Sequence, residues 1–247
     1  MSAGPASWKK AELLAWLTRH AEALEPGLRL LEPFPESLRL LGADAAGHDP
    51  LGRPVLLLLN EDSGAEELLE RVLTLATRAR ADVGALAPWF TRPREQRLFL
   101  VAPELNSTLR ARLALVGAGM ALRAWSLQLE GKSVERPRLV CQIPEPLENP
   151  LGQAPAAPAL AQVFLRRLLA AAGHIRPRVE VLGSAWPLVF TGARGACAAL
   201  HRDGEDLFFV TERAARRTEV LRLADEESVD RALDALLREQ FTAAGIG

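Results

Sequence analysis

Apolar residues recur at helical spacing at Leu13, Leu14, Trp16, Leu17 and Ala21. With Ser7 as N-cap and Pro26-Gly27 as a stop, they predict a helix over residues 7–24. Residues 28–31 and 38–43 read as short strands around the Pro33-Phe34-Pro35 turn, and residues 44–52 as a loop. The run Pro54-Val-Leu-Leu-Leu-Leu-Asn60 is continuously apolar between turn residues, the pattern of a strand buried on both faces. Ser63-Gly-Ala-Glu66 has the form of a capping box and opens a helix to about Leu86, with Leu68, Leu69, Val72, Leu73, Leu75 and Ala76 as its stripe. A strand over 97–102 follows, then a helix capped by Asn106 or Ser107 and running to Gly117, then strands over 122–129 and 137–143. Alternation of strand and helix from residue 54 to residue 130 argues for a mixed α/β sheet with helices on its faces.

The pattern changes after residue 146. Pro144, Pro146, Pro150, Pro155 and Pro158 interrupt a stretch without apolar periodicity, so residues 147–158 are expected to be a linker. Beyond it come a helix over 159–172, four or five short strands near 178–183, 187–191, 196–201, 206–211 and 218–223, and a helix over 226–241. Val229, Leu233, Leu236 and Leu237 form the apolar face of that last helix. The expected organisation is an α/β domain over 1–146, the linker, and a small α+β domain over 159–247.

Composition narrows the function classes. The 30 basic and 31 acidic side chains nearly cancel, and the balance is even in both parts: 18 against 19 in residues 1–150, and 12 against 12 beyond. Neither part is the basic module that nonspecific nucleic-acid binding requires. Only Lys9, Lys10 and Lys132 are lysines, so 27 of the basic residues are arginine, and tyrosine is absent, a skew that fits high-GC coding. No apolar run approaches the roughly 20 residues of a membrane span. The polar start, residues 1–10, lacks an apolar core, and a cytoplasmic location is expected. Cys141 and Cys197 are too few for a zinc site or disulfide framework and are expected to be buried thiols.

Most motifs with chemical meaning fail on their context. Gly117-Ala-Gly119 follows a helix instead of a strand and lacks a third glycine at Leu122, so it reads as a helix stop. His201-Arg-Asp203 copies part of a kinase loop without its asparagine or glycine-rich partner, and reads as a strand end and turn. His20, His48 and His174 are isolated.

One resemblance stands out across residues 11–129. It lies in Leu24-Glu-Pro-Gly-Leu-Arg-Leu-Leu31, Leu38-Arg-Leu-Leu-Gly-Ala-Asp44, Gly52-Arg-Pro-Val-Leu-Leu-Leu-Leu-Asn60 and Arg97-Leu-Phe-Leu-Val-Ala-Pro-Glu-Leu-Asn106. These segments and their order resemble the PD-(D/E)xK, or restriction-endonuclease-like, nuclease superfamily. The likeness is greatest to its bacterial and archaeal branch of single-strand-specific DNA endonucleases. In that family the order is helix, strand, a strand pair carrying the metal ligands, long helix, strand ending in V-A-P, helix and strand. The resemblance implies an acid entering the first strand of the pair, and an acid and a lysine two apart on the second, on one face. Those carboxylates hold a divalent metal and the lysine orients water. Carried onto this chain, the three positions fall on Arg39, Leu58 and Asn60, so the motif is degenerate and no cofactor is expected.

Three readings follow. The first is a non-catalytic interaction or scaffold protein with a protein partner or self-association, no metal and no membrane contact. The second is a nucleic-acid-binding module without cleavage, using Arg39, Asn60, Arg92, Arg94 and Arg97, or Arg213, Arg216 and Arg217. The third is a metal-dependent endonuclease with migrated ligands among Asp44, Asp49, Glu61 and Asp62. Glu130-Gly-Lys132, a literal E-x-K, sits too far downstream and reads as a turn.

Overall fold

In the computed structural model, which describes residues 9–61, 65–117, 121–129, 137–143, 158–172, 180–182, 186–192, 195–213 and 217–243, helix α1 spans Lys10–Arg19 and buries Leu13 and Leu17. The helix ends at His20, whose N–H turns back to the Leu17 carbonyl, and a 3-10 turn over Ala21–Ala23 replaces the predicted continuation. Ser7, its predicted cap, lies outside the described residues.

Strand β1 is Arg29–Leu30 and helix α2 is Glu36–Leu40. The predicted strand over 38–43 is therefore corrected. Extended Pro35 precedes a first turn carrying Glu36, Leu38 is buried, and Gly42 ends the segment at φ 103°. The strand that pairs with the apolar run lies instead in the predicted loop: β2 is Ala45–His48 and β3 is Pro54–Leu59. Their connection demands glycine at one position. Gly52 has φ +75°, and a Cβ there would stand 1.9 Å from Thr91 Oγ1.

Helix α3 covers Ala65–Ala81 and α4 covers Val83–Leu86. The predicted single helix to Leu86 breaks at Asp82, whose carboxylate accepts the Ala85 N–H at 3.0 Å and starts α4. Ser63 lies outside the described residues. The buried stripe of α3 is Leu68, Val72, Leu75, Ala76 and Ala79, while Leu73 faces out. Strand β4 (Arg97–Ala102), helix α5 (Ser107–Gly117) and strands β5 (Ala121–Leu129) and β6 (Pro137–Ile143) complete this part. Asn106 caps α5 by accepting the Leu109 N–H at 2.8 Å.

The strands form a mixed sheet in the order β1-β2-β3-β4-β5-β6. β1, β2 and β3 run antiparallel, β3, β4 and β5 run parallel, and β6 returns antiparallel. β3 and β4 are buried along their whole lengths, as strands covered on both faces must be. Leu56, Leu58, Leu98 and Leu100 pack with the stripe of α3 and with Leu109 and Leu113 of α5.

The chain divides into two compact units. One holds the described residues to Ala21 and from Leu28 to Ile143, and the other holds Glu22–Gly27 and the described residues from 158 onward. Most of the proline-rich stretch predicted as a linker lies outside the described residues, as do His174 and Glu130-Gly-Lys132.

The second unit contains α6 (Ala159–Ala172), β7 (Glu180–Leu182), β8 (Leu188–Gly192), β9 (Gly195–Asp203), β10 (Asp206–Arg213), β11 (Arg217–Leu223) and α7 (Glu226–Ala243). Its strands form an antiparallel sheet in the order β11-β10-β9-β8-β7. His201-Arg-Asp203 ends β9 ahead of a turn at Gly204, which has φ 58°. Phe164, Leu165 and Leu168 of α6 and Val229, Ala232 and Leu236 of α7 pack on Phe190, Leu200, Leu207 and Phe209.

Helix α7 begins with a reciprocal cap. Asp225 Oδ1 accepts the Ser228 N–H at 2.8 Å, and Ser228 Oγ accepts the Asp225 N–H at 3.1 Å. The Ser228 backbone and hydroxyl donors hold the Asp225 carboxyl below its ordinary value of 3.8. A depressed folded-state value adds stability above pH 3.8 and loses it as pH falls through the lower folded value. Thermal melts of wild type and Asp225→Asn are expected to differ near neutral pH and converge in acid. A gap independent of pH would show that the charge contributes nothing.

Among the described residues, no helix is long and apolar enough to cross a membrane.

Candidate functional site

The entrance to the β2–β3 hairpin gathers charge from four elements. The register pairs Ala45 with Leu57 and Ala46 with Leu56, and one step further it sets Asp44 opposite Leu58. Asn60, two residues beyond Leu58, continues the same face, and its N–H extends the parallel ladder to the Val101 carbonyl at 2.9 Å. Asp44 therefore enters the first strand of the pair. Arg39, which the resemblance placed there, lies on α2 instead, exposed, 3.1 Å from Glu36 and stacked over the Phe34 ring. The short α2 inserts between β1 and β2 and moves the strand entrance from residue 39 to residue 44.

Both oxygens of Asp44 are engaged. Oδ1 takes the Lys10 ammonium from α1. Oδ2 accepts the Leu59 N–H at 2.7 Å and Arg71 Nη2, from α3, at 3.1 Å. The other arm of Arg71 donates to Asn60 Oδ1 at 3.1 Å. Glu61 accepts the backbone N–H of Lys10, which opens α1, so a carboxylate sits at the positive end of that helix. Asp44 is 11% exposed, against 38% for Lys10 and 32% for Arg71. Leu58 is buried in the apolar cluster beneath α3.

The predicted metal quartet does not assemble. Asp44 and Glu61 share Lys10, whereas Asp49 follows the other end of β2, about 16 Å away at the rise of an extended strand. Asp62 lies outside the described residues. Asp49 is a buried turn residue. It accepts the Leu51 and Arg53 N–H groups at 2.9 and 3.0 Å, and holds Arg53 Nε at 2.6 Å and Arg97 Nη1 at 3.3 Å.

The arginines predicted for phosphate are equally dispersed. Arg97 is buried, held by Asp49 and placed over the Phe99 ring at 5.0 Å, so it does not reach solvent. Asn60 is also buried. Arg92 stands 3.8 Å from Glu95, and Arg94 is exposed in the loop before β4. Arg213 and Arg217 pair across the end of the β10–β11 hairpin, and Arg216 lies outside the described residues. Cys141 and Cys197 are half-buried where full burial was expected, and the Cys197 thiol donates to the Phe190 carbonyl at 3.1 Å.

A divalent ion of the magnesium type requires several oxygen ligands in near-octahedral order. Here Leu58 supplies none, Asn60 Oδ1 is held by Arg71, and two cations already neutralise Asp44. Among the described residues, Asp44 and Glu61 belong to no group of three metal-ligating side chains. The set as it stands does not fit such an ion. Lys10 and Arg71 were not among the sequence candidates, and their half-buried positions on α1 and α3 are legible only once the helices are docked. Comparison with protein-family models, with curated proteins and with solved structures found no match for the chain.

Proposed function

We propose that this chain is a non-catalytic interaction or scaffold protein built on a degenerate restriction-endonuclease-like domain. The observation that carries the reading is the state of Asp44. It is the acid that enters the first strand of the pair, and Lys10, Arg71 and the Leu59 N–H occupy its oxygens, while Leu58 and Asn60 take the positions at which the resemblance would put a second acid and a lysine. The order α1, β1, the β2–β3 pair, α3, β4 ending in Val101-Ala-Pro103, α5 and β5 supports the kinship with that nuclease fold.

A protein contact fits the surface better than a phosphate contact. Leu40 is 72% and Trp89 46% exposed, and the two neighbour Ser37, whose hydroxyl accepts the Trp89 indole N–H at 3.4 Å. Exposed large apolar side chains on neighbouring elements suit a protein partner or a second copy of the chain better than phosphate. Of the arginines considered for phosphate, Arg97 is buried on Asp49, Arg39 pairs with Glu36 and Arg92 lies near Glu95.

Fluorescence anisotropy with labelled single-stranded, duplex and branched DNA tests this. The expected result is no rise at low salt and micromolar protein. Binding that weakens by roughly 0.7–0.9 log unit per contacted phosphate for each log unit of salt would establish a nucleic-acid module in its place.

A further inference from the structure

Two cations meet at Asp44: the Lys10 ammonium on Oδ1 and the Arg71 guanidinium on Oδ2. Their combined positive charge equals that of one divalent ion. The contacts are also topologically distinct. Lys10 comes from α1, 34 positions before Asp44, and Arg71 from α3, 27 positions after it. Arg71 uses both arms, one on Asp44 and one on Asn60, which sit side by side at the hairpin entrance.

We propose that Lys10 and Arg71 act as built-in counter-cations that take the place of a divalent metal at Asp44. They close the centre to such an ion and fasten α1 and α3 to the β2–β3 hairpin. The inference rests on the non-catalytic reading and says how the centre keeps its shape without metal. An added ion would have to displace the ammonium or the guanidinium from a carboxylate that is only 11% exposed. Otherwise it would place two further positive charges beside the two already there. Removing both side-chain cations frees the Asp44 carboxylate and the Asn60 carbonyl oxygen, both held by Arg71, as oxygen ligands of the kind a hard cation takes.

The test is thermal melting of the full chain in EDTA and in excess Mn²⁺, with Mn²⁺ binding followed by electron paramagnetic resonance. Wild type is expected to melt at one temperature in both and to leave the Mn²⁺ signal unchanged. Lys10→Met/Arg71→Leu is expected to melt lower in EDTA. It should recover by about 5–10 °C at a hundredfold excess of Mn²⁺ over Kd, through binding to the native state alone. Should the double variant fail to fold, Lys10→Gln is expected to take up Mn²⁺ that wild type refuses. Mn²⁺ uptake by wild type that Asp44→Asn abolishes would overturn the proposal, as would variants that fold and bind no Mn²⁺. A gel of DNA incubated with the same samples separates the two claims. Wild type that binds Mn²⁺ and leaves DNA intact defeats the counter-cation proposal alone, while Asp44-dependent cleavage by wild type defeats the non-catalytic reading.

Discussion

Asp49→Ala is expected to destabilise the first unit by about 3–5 kcal/mol, the range for breaking a buried ion pair by removing one partner. Asp49 is fully buried, and it holds Arg53 and Arg97, whose side chains are 9% and 3% exposed. Its loss takes one carboxylate from two buried guanidinium groups and the side-chain acceptor from two turn N–H groups. The turn itself depends on those groups, because Gly52 and Arg53 close it back onto the Asp49 backbone at 2.9 and 3.1 Å. Asp49→Asn keeps an acceptor for the N–H groups and removes the charge, so it is expected to fall between wild type and Asp49→Ala. Equilibrium urea denaturation measures both. A loss below about 1 kcal/mol for Asp49→Ala, the scale of an exposed pair, would contradict the assignment.

Phe164→Ala carries a comparable expectation in the second unit, about 3–5 kcal/mol for an aromatic ring removed from a closed core. Phe164 is fully buried on α6, and its ring centroid lies 5.4 Å from that of Phe190 on β8 and 5.6 Å from that of Phe209 on β10. The tilted rings add to the burial, by about 0.5–1.5 kcal/mol per pair. The same side chain fixes α6 across two strands that are not neighbours, so no single adjacent side chain can close over the cavity. Phe164→Leu retains most of the volume and is expected to cost about 1–2 kcal/mol. If the alanine variant unfolds at the wild-type urea concentration, the ring contacts do not hold α6.

The strands and helices with strong periodicity were legible from residues alone. The apolar runs at 54–60 and 97–102 have no helical reading compatible with their length and flanking turns, and both are central strands. β2 was not legible. Ala45-Ala-Gly-His48 contains no β-branched or aromatic residue, and it is a strand because β1 and β3 lie on either side to pair with it. Residues 38–43 failed for the opposite reason. Leu38-Arg-Leu-Leu41 suits a strand or a helical turn equally, and Pro35 and Glu36 ahead of it decide for the turn.

The candidate site shows the same limit. Asp44 and Glu61 were visible as acids near strand ends, and Asp49 looked no different from them. What separates the three is partners far away in sequence: Lys10 and Arg71 for Asp44, and Arg97, 48 positions on, for Asp49. No local pattern announces those pairings. The sequence shows only that Arg71 adjoins the apolar stripe of α3 at Val72; its half-burial, and with it the need for a carboxylate, appears with the docked helix.

On the proposed reading, the hairpin entrance performs no metal-dependent chemistry. Incubating the full chain with single-stranded, duplex and branched DNA in Mn²⁺, and again in Mg²⁺, and resolving the products on a denaturing gel puts this to the test. Intact DNA is expected from wild type and from Asp44→Asn alike. Cleavage by wild type that disappears in Asp44→Asn would contradict it and make Asp44 a metal ligand despite Lys10 and Arg71.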